Sequence, residues 1–74
     1  MKLLDVVALV QDLPELGLYR GNLGTIVEEY EPNVFEVEFS DNTGRAYAIE
    51  TLSADKLMIL HHHSLENNQQ VAHV

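Results

Sequence analysis

The stretch of residues 19–28 constrains the fold of this chain more than any other part of the sequence. Its two glycines, Gly21 and Gly24, enclose a short apolar step and precede a β-branched run. Glycine at such positions indicates either a positive φ or a close approach between two backbones. We therefore predict a tight turn that opens into a strand of a small β-barrel.

Short β-rich segments separated by turn residues predict five strands, over residues 5–10, 25–31, 34–39, 45–52 and 57–60. The clearest signal is the alternation of Phe35, Val37 and Phe39 with Glu36 and Glu38. This alternation predicts an antiparallel strand with one buried side and one side in water.

The facing of the fourth strand is open, because its two sides are both apolar. Either Tyr47 and Ile49 point inward, or the alanines at 46 and 48 do so together with Leu52. Ser53 is predicted to cap a single turn before the last strand.

The segment of residues 11–20 contains Pro14 and Gly17 and shows no sustained periodicity. Its leucines, at positions 13, 16 and 18, make it too apolar for a solvated loop. We expect an ordered excursion over one end of the barrel, with a single helical turn over residues 12–15.

These elements predict an all-β protein, a small five-stranded SH3-like barrel over residues 1–60 with a flexible C-terminal tail over residues 61–74. The polar tail is expected to be disordered or used in oligomer contacts. An OB-fold ranks lower, since it would require a helix between the third and fourth strands, and residues 39–45 are not helical in pattern.

Composition limits the classes of function. The 74 residues include twelve acidic and four basic side chains and no cysteine, and the formal net charge is −8. Nucleic acid is an unfavourable partner for such a surface, whereas a basic protein would be attracted. The simpler alternative is that the charge only maintains solubility. A homo-oligomer is expected as a way to bury more apolar surface, and without a secretory or membrane-spanning segment we expect a cytoplasmic location.

A set of spaced motifs carries a resemblance to a known family: residues 13–15, 17–21 and 24–28, with the strands at 5–9 and 35–39 and the turn at 54–57. Over about residues 3–60 the chain resembles the uncharacterised bacterial family called domain of unknown function 4926. Residues 20–27 alone are similar to KOW-type barrels, a weaker match. The first resemblance implies an SH3-like barrel and supplies no catalytic residue.

Two groups of side chains are candidates for binding. Tyr19 and Arg20 lie on the long first loop, and both residue types are common interface anchors. The alternative is that Tyr19 packs over the barrel end and Arg20 pairs with a carboxylate. The second group is acidic and occupies two strands expected to be adjacent: Glu28, Glu29, Glu36 and Glu38. Its alternative is a solvated acidic face.

Catalysis has no good candidate, because the sequence has no cysteine and no histidine within the predicted barrel to act as a base. His61 and His63 are metal ligands by type, but we interpret them as adventitious, and no cofactor is expected. The sequence thus predicts a non-enzymatic protein-binding module, whose acidic surface or first loop docks another protein. The alternative is a nucleic-acid-associated KOW-like module.

Overall fold

The computed structural model describes residues 1–41 and 43–60, so the predictions for residues 61–74 lie outside the described residues. Within the described residues the fold is all-β, as predicted. Five strands form one antiparallel sheet: β1 (Val6–Leu9), β2 (Leu23–Glu31), β3 (Val34–Ser40), β4 (Ala46–Ser53) and β5 (Leu57–Ile59). In this part of the chain, helical structure is limited to two 3₁₀ turns, and no helix is long and apolar enough to cross a bilayer.

The sheet runs in the order β4-β3-β2-β1-β5, so that β5 returns to pair with β1 while β4 lies at the opposite edge. This order agrees with the SH3-like arrangement that the sequence predicts. One side of the sheet encloses the core, and the side opposite the core is called the outer face below. The core side chains come from all five strands and the first loop: Val7, Leu9, Leu13, Leu18, Ile26, Phe35, Val37, Phe39, Leu52 and Leu57.

The two glycines of the first turn serve the two purposes that the sequence left open. Gly21 has a φ of +92°, in the region that favours glycine. Gly24 lies inside β2, where a Cβ atom would come within 2.6 Å of Cγ1 of Val37. One glycine therefore makes the turn, and the other lets β2 pack closely against the core.

The first loop folds over one end of the sheet, as expected. Leu13 and Leu18 are buried and bridge each other through main-chain hydrogen bonds of 2.8 and 3.2 Å. A 3₁₀ turn, Pro14–Leu16, lies between them and ends at Gly17 in the left-handed conformation. Leu16 itself is exposed, so two of the three leucines hold the loop in place.

The facing of β4 is now determined. Leu52 is buried and Ala48 packs against the core, whereas Tyr47 and Ile49 are exposed on the outer face. Ser53 does precede the predicted turn, which forms at Ala54–Lys56. The prediction that its side chain caps this turn is wrong, because its hydroxyl donates to the carboxylate of Asp55 instead of accepting a backbone N–H.

Candidate functional site

The interior of the described fold holds no chemistry-bearing group. Its buried side chains are all apolar, and residues 1–41 and 43–60 include no buried polar or charged residue. The same residues contain no group of three or more His, Cys, Asp or Glu side chains placed to hold a metal ion. The candidate ligands His61 and His63 lie outside the described residues. Any site built from the described residues is therefore on the surface.

The outer face carries a group of exposed apolar side chains. Ile49 is 58% exposed and Tyr47 is 48% exposed, and the two are neighbours on one side of β4. Leu23, which is 49% exposed, lines the same groove as Tyr47. Ala8 of β1 pairs with Leu23 on one side and with Met58 of β5 on the other side. Met58 is exposed as well. Apolar side chains thus extend across the outer face.

Carboxylates lie among these apolar side chains. Glu38 is half-buried and stands between Thr25 of β2 and Ile49 of β4 in the sheet. Glu36 stands opposite Glu28, and residues opposite each other in adjacent strands share a face. Three of the four predicted glutamates are therefore on the outer face.

Glu29 does not join the other three glutamates. It stands opposite Phe35, whose side chain is in the core, so Glu29 lies on the other side of the sheet. Consecutive strand residues point to opposite faces. A shift in the β2–β3 register between Ile26 and Glu28 places an extra residue in β2, and this shift decides that Glu28 rather than Glu29 lies on the outer face.

An open groove lies where the first loop meets the β3–β4 hairpin. Its volume is about 660 Å³, and it is lined by Gly21, Asn22, Leu23, Ser40, Asp41 and Tyr47. Sequence reasoning did not identify this groove, because it joins residues about twenty positions apart that only the β2–β3–β4 pairing brings together.

Asp41 stabilises the hairpin loop that borders this groove. The Thr43 hydroxyl donates to its Oδ1 at 2.7 Å, and the backbone N–H groups of Arg45 and Thr43 donate to the same oxygen at 3.0 and 2.9 Å. These hydrogen bonds, led by that of the Thr43 hydroxyl, lower the pKa of Asp41 below its ordinary value of 3.8. The groove therefore has an ionised carboxylate at its rim.

Tyr19 and Arg20 directly precede Gly21 in the first loop and are not among the residues that line the groove. The Tyr19 N–H donates to Oδ1 of Asn22 at 2.9 Å, and the Arg20 N–H donates to Oδ1 of Asp12 at 2.9 Å. Their backbone is thus fixed, while the side chains of both residues are exposed and Tyr19 is 50% accessible. The contact of Arg20 with the Asp12 carboxylate is made by its main-chain N–H, and half of the Tyr19 side chain is accessible.

The comparisons with known proteins identify the family of this chain and give no further information. Neither the curated proteins nor the solved structures include a significant match to this chain. A protein-family model described as "Domain of unknown function (DUF4926)" matches residues 3–59, which is most of the chain and includes every strand of the sheet. By this match the chain belongs to the family called domain of unknown function 4926.

Proposed function

We propose that this protein is a non-enzymatic protein-binding module, and that its outer face docks a basic protein. The observation that carries the proposal is the composition of that face. Exposed apolar side chains at Leu23, Tyr47 and Ile49 share that face with the carboxylates of Glu36 and Glu38, and Glu38 stands directly opposite Ile49. Apolar groups supply the burial that holds a complex together, and charges supply orientation and discrimination.

The location of the polar groups supports a binding role over catalysis. A catalytic acid or base usually has its pKa shifted by burial or by a neighbouring charge in a cleft. In the described residues the polar side chains are at the surface, and the groove beside Tyr47 is open to solvent. Such a surface is suited to recognition by contact.

The sign of the charge supports a basic partner. The net charge of −8 raises the rate of encounter with a basic protein and lowers it with nucleic acid, and both effects weaken as salt is added. The nucleic-acid-associated alternative is not proposed, since the outer face presents carboxylates. The proposal includes a cytoplasmic setting, with which the cysteine-free sequence is compatible.

The test is affinity capture from a lysate of the source organism, with the full chain immobilised. Ile49→Asp places a charge on the outer face at a side chain that is 58% exposed, so folding should be little affected. Leu4→Asp is the matched control, because Leu4 precedes β1 and is 76% exposed.

We expect a basic protein to be captured reproducibly by the wild type and by Leu4→Asp, to be lost with Ile49→Asp, and to elute as salt is raised. Failure to capture any protein reproducibly would overturn the proposal, and so would equal capture by all three chains.

A further inference from the structure

The two edges of the sheet differ in how well they are protected. β5 is an edge strand of 3 residues, which is too short to accept much pairing. β4 is an edge strand of 8 residues and contains neither proline nor lysine, the residues that commonly discourage further pairing at an edge. The long edge is therefore the one that is open to an additional strand.

The hydrogen-bond pattern identifies the β4 backbone groups that point outward. The Ala54 N–H donates to the Asn33 carbonyl at 2.8 Å, just beyond the pair that Ser53 forms with Val34. A bond in that position marks Ser53–Val34 as a non-hydrogen-bonded pair of the antiparallel ladder. Because the two kinds of pair alternate, the pairs of Thr51 with Glu36 and of Ile49 with Glu38 are also non-hydrogen-bonded.

Thr51 and Ile49 consequently direct their N–H and C=O groups away from β3. The loop, turn and cap hydrogen bonds among the described residues make no use of these groups. Within residues 1–41 and 43–60, two adjacent donor–acceptor sites along the outside of β4, spaced as in a regular strand, thus have no main-chain partner.

We propose that the β4 edge binds an extended segment of a partner protein as a sixth strand of the sheet, and that this segment alternates apolar and basic residues. The inference rests on the proposed protein-binding function and names the part of the partner that is recognised. Strand addition of this kind takes affinity from main-chain hydrogen bonds and specificity from alternate side chains.

The side chains of β4 indicate which residues of the added strand should be apolar and which should be basic. An added strand would place every second residue on the outer face beside Tyr47 and Ile49, where apolar side chains fit. The residue opposite Glu50 would point to the other side of the sheet, where its neighbour is a half-buried carboxylate. Lysine or arginine at that position gives the favourable cross-strand pair.

A second copy of this chain is a poorer occupant than a basic segment. Each copy carries a net charge of −8, so two copies repel each other at low salt.

The test uses a capped peptide of alternating lysine and valine, titrated into the isotope-labelled full chain and followed by NMR and amide hydrogen exchange. We expect slower exchange at the amides of Ile49 and Thr51, and no such change with a peptide of alternating glutamate and valine. A lysine–valine peptide that is N-methylated at alternate residues cannot donate along one side and should not bind.

Two substitutions at one position separate the backbone contribution from the side chain. Thr51→Pro removes an N–H that the β3–β4 ladder does not use, so the fold should persist. It should weaken peptide binding about tenfold, as expected for loss of one main-chain hydrogen bond. Thr51→Val keeps the N–H and should bind as the wild type does. Glu50→Lys should reverse the preference and favour the glutamate–valine peptide.

The inference is overturned if the peptide protects amides elsewhere, if the N-methylated peptide binds equally well, or if Thr51→Pro binds like Thr51→Val. It is also overturned if Ile49 and Thr51 are protected without peptide and sedimentation shows a dimer, because the occupant is then a second copy. In lysate capture, loss with Ile49→Asp but not with Thr51→Pro would leave the proposed function standing and remove the edge from it.

Discussion

Of the four glycines, Gly24 has the least space for an added Cβ atom. A Cβ atom there would lie 2.6 Å from Cγ1 of Val37, and 3.1 Å from both the Glu38 carbonyl oxygen and Cδ1 of Phe39. Contacts under 3.0 Å essentially do not occur for real Cβ atoms. Val37 and Phe39 are fully buried, so neither can move aside without disturbing the core.

Gly24→Ala should therefore destabilise the protein despite its small size. Overpacking of a core costs about 1–3 kcal/mol, and removing a glycine from a strand returns about 0.5–1 kcal/mol of chain entropy. Because the nearest contact is only 2.6 Å, the overpacking cost should lie in the upper part of its range, and the net loss is then about 1–2 kcal/mol. At about 4–8 °C per kcal/mol for a domain of this size, the Tm should fall by about 4–16 °C.

A double-mutant cycle tests the cause of that loss. Val37→Ala removes the atom in closest contact, so Gly24→Ala should cost less in the Val37→Ala background, with a coupling of about 1 kcal/mol. Gly21→Ala is the matched control, because Gly21 has open space around it and its cost comes from a φ of +92°. Val37→Ala should not relieve that cost.

Thermal and urea unfolding followed by far-UV circular dichroism measure all of these variants. A Tm for Gly24→Ala within about 2 °C of the wild type, or the absence of coupling to Val37→Ala, would refute the close approach of β2 and β3 at this point.

Three further outcomes follow from the described contacts. Leu18→Ala should lower the free energy of unfolding by about 2–5 kcal/mol in urea melts, whereas Leu16→Ala should change it by under about 1 kcal/mol, since Leu18 is fully buried and Leu16 is exposed; equal effects would contradict the ordered first loop. Glu28→Lys should raise the Tm at low salt, because it removes a like-charge repulsion with Glu36 that destabilises the fold by about 0.2–1 kcal/mol. This gain in Tm should shrink in about 1 M salt. Glu28→Gln should give a smaller gain in Tm. Asp41→Asn should be less stable than the wild type at neutral pH, because a carboxylate whose pKa is lowered by folding stabilises the fold at pH values above its unfolded pKa of 3.8. In urea melts, the difference in stability between the variant and the wild type should disappear as the pH falls from 3.8 through the lower folded pKa. A difference that does not change with pH would argue against the hydrogen bonds to the Asp41 carboxylate.

The strands could be predicted from the sequence because local patterns determine them. Phe35, Val37 and Phe39 alternate with glutamates, and all three are buried. The two glycines of the first turn were also recognisable, although their division of roles was not. Gly21 takes the positive φ and Gly24 the close contact, which depends on the side chain of Val37 in the neighbouring strand.

The candidate site was predicted less completely, because it depends on register. A two-residue period places Glu28 and Glu29 on opposite faces, but it cannot reveal the shift between Ile26 and Glu28 that decides which of the two lies on the outer face. The facing of β4 could not be decided for a similar reason. Both of its sides are apolar, and only the pairing of Ala48 with Phe39 turns Ile49 outward.

The exposed face of β4 bears on the two explanations of the acidic composition. If the carboxylates only maintained solubility, the outer positions between them would be expected to be polar as well. Instead Tyr47 and Ile49 are exposed side by side, and Leu23 lies across the groove from Tyr47. Isolated exposed apolar residues need no explanation, but neighbouring ones on one face indicate an interaction surface. Solubility alone would account for Glu38 and not for Ile49 opposite it, whereas the proposed docking of a basic partner would account for both.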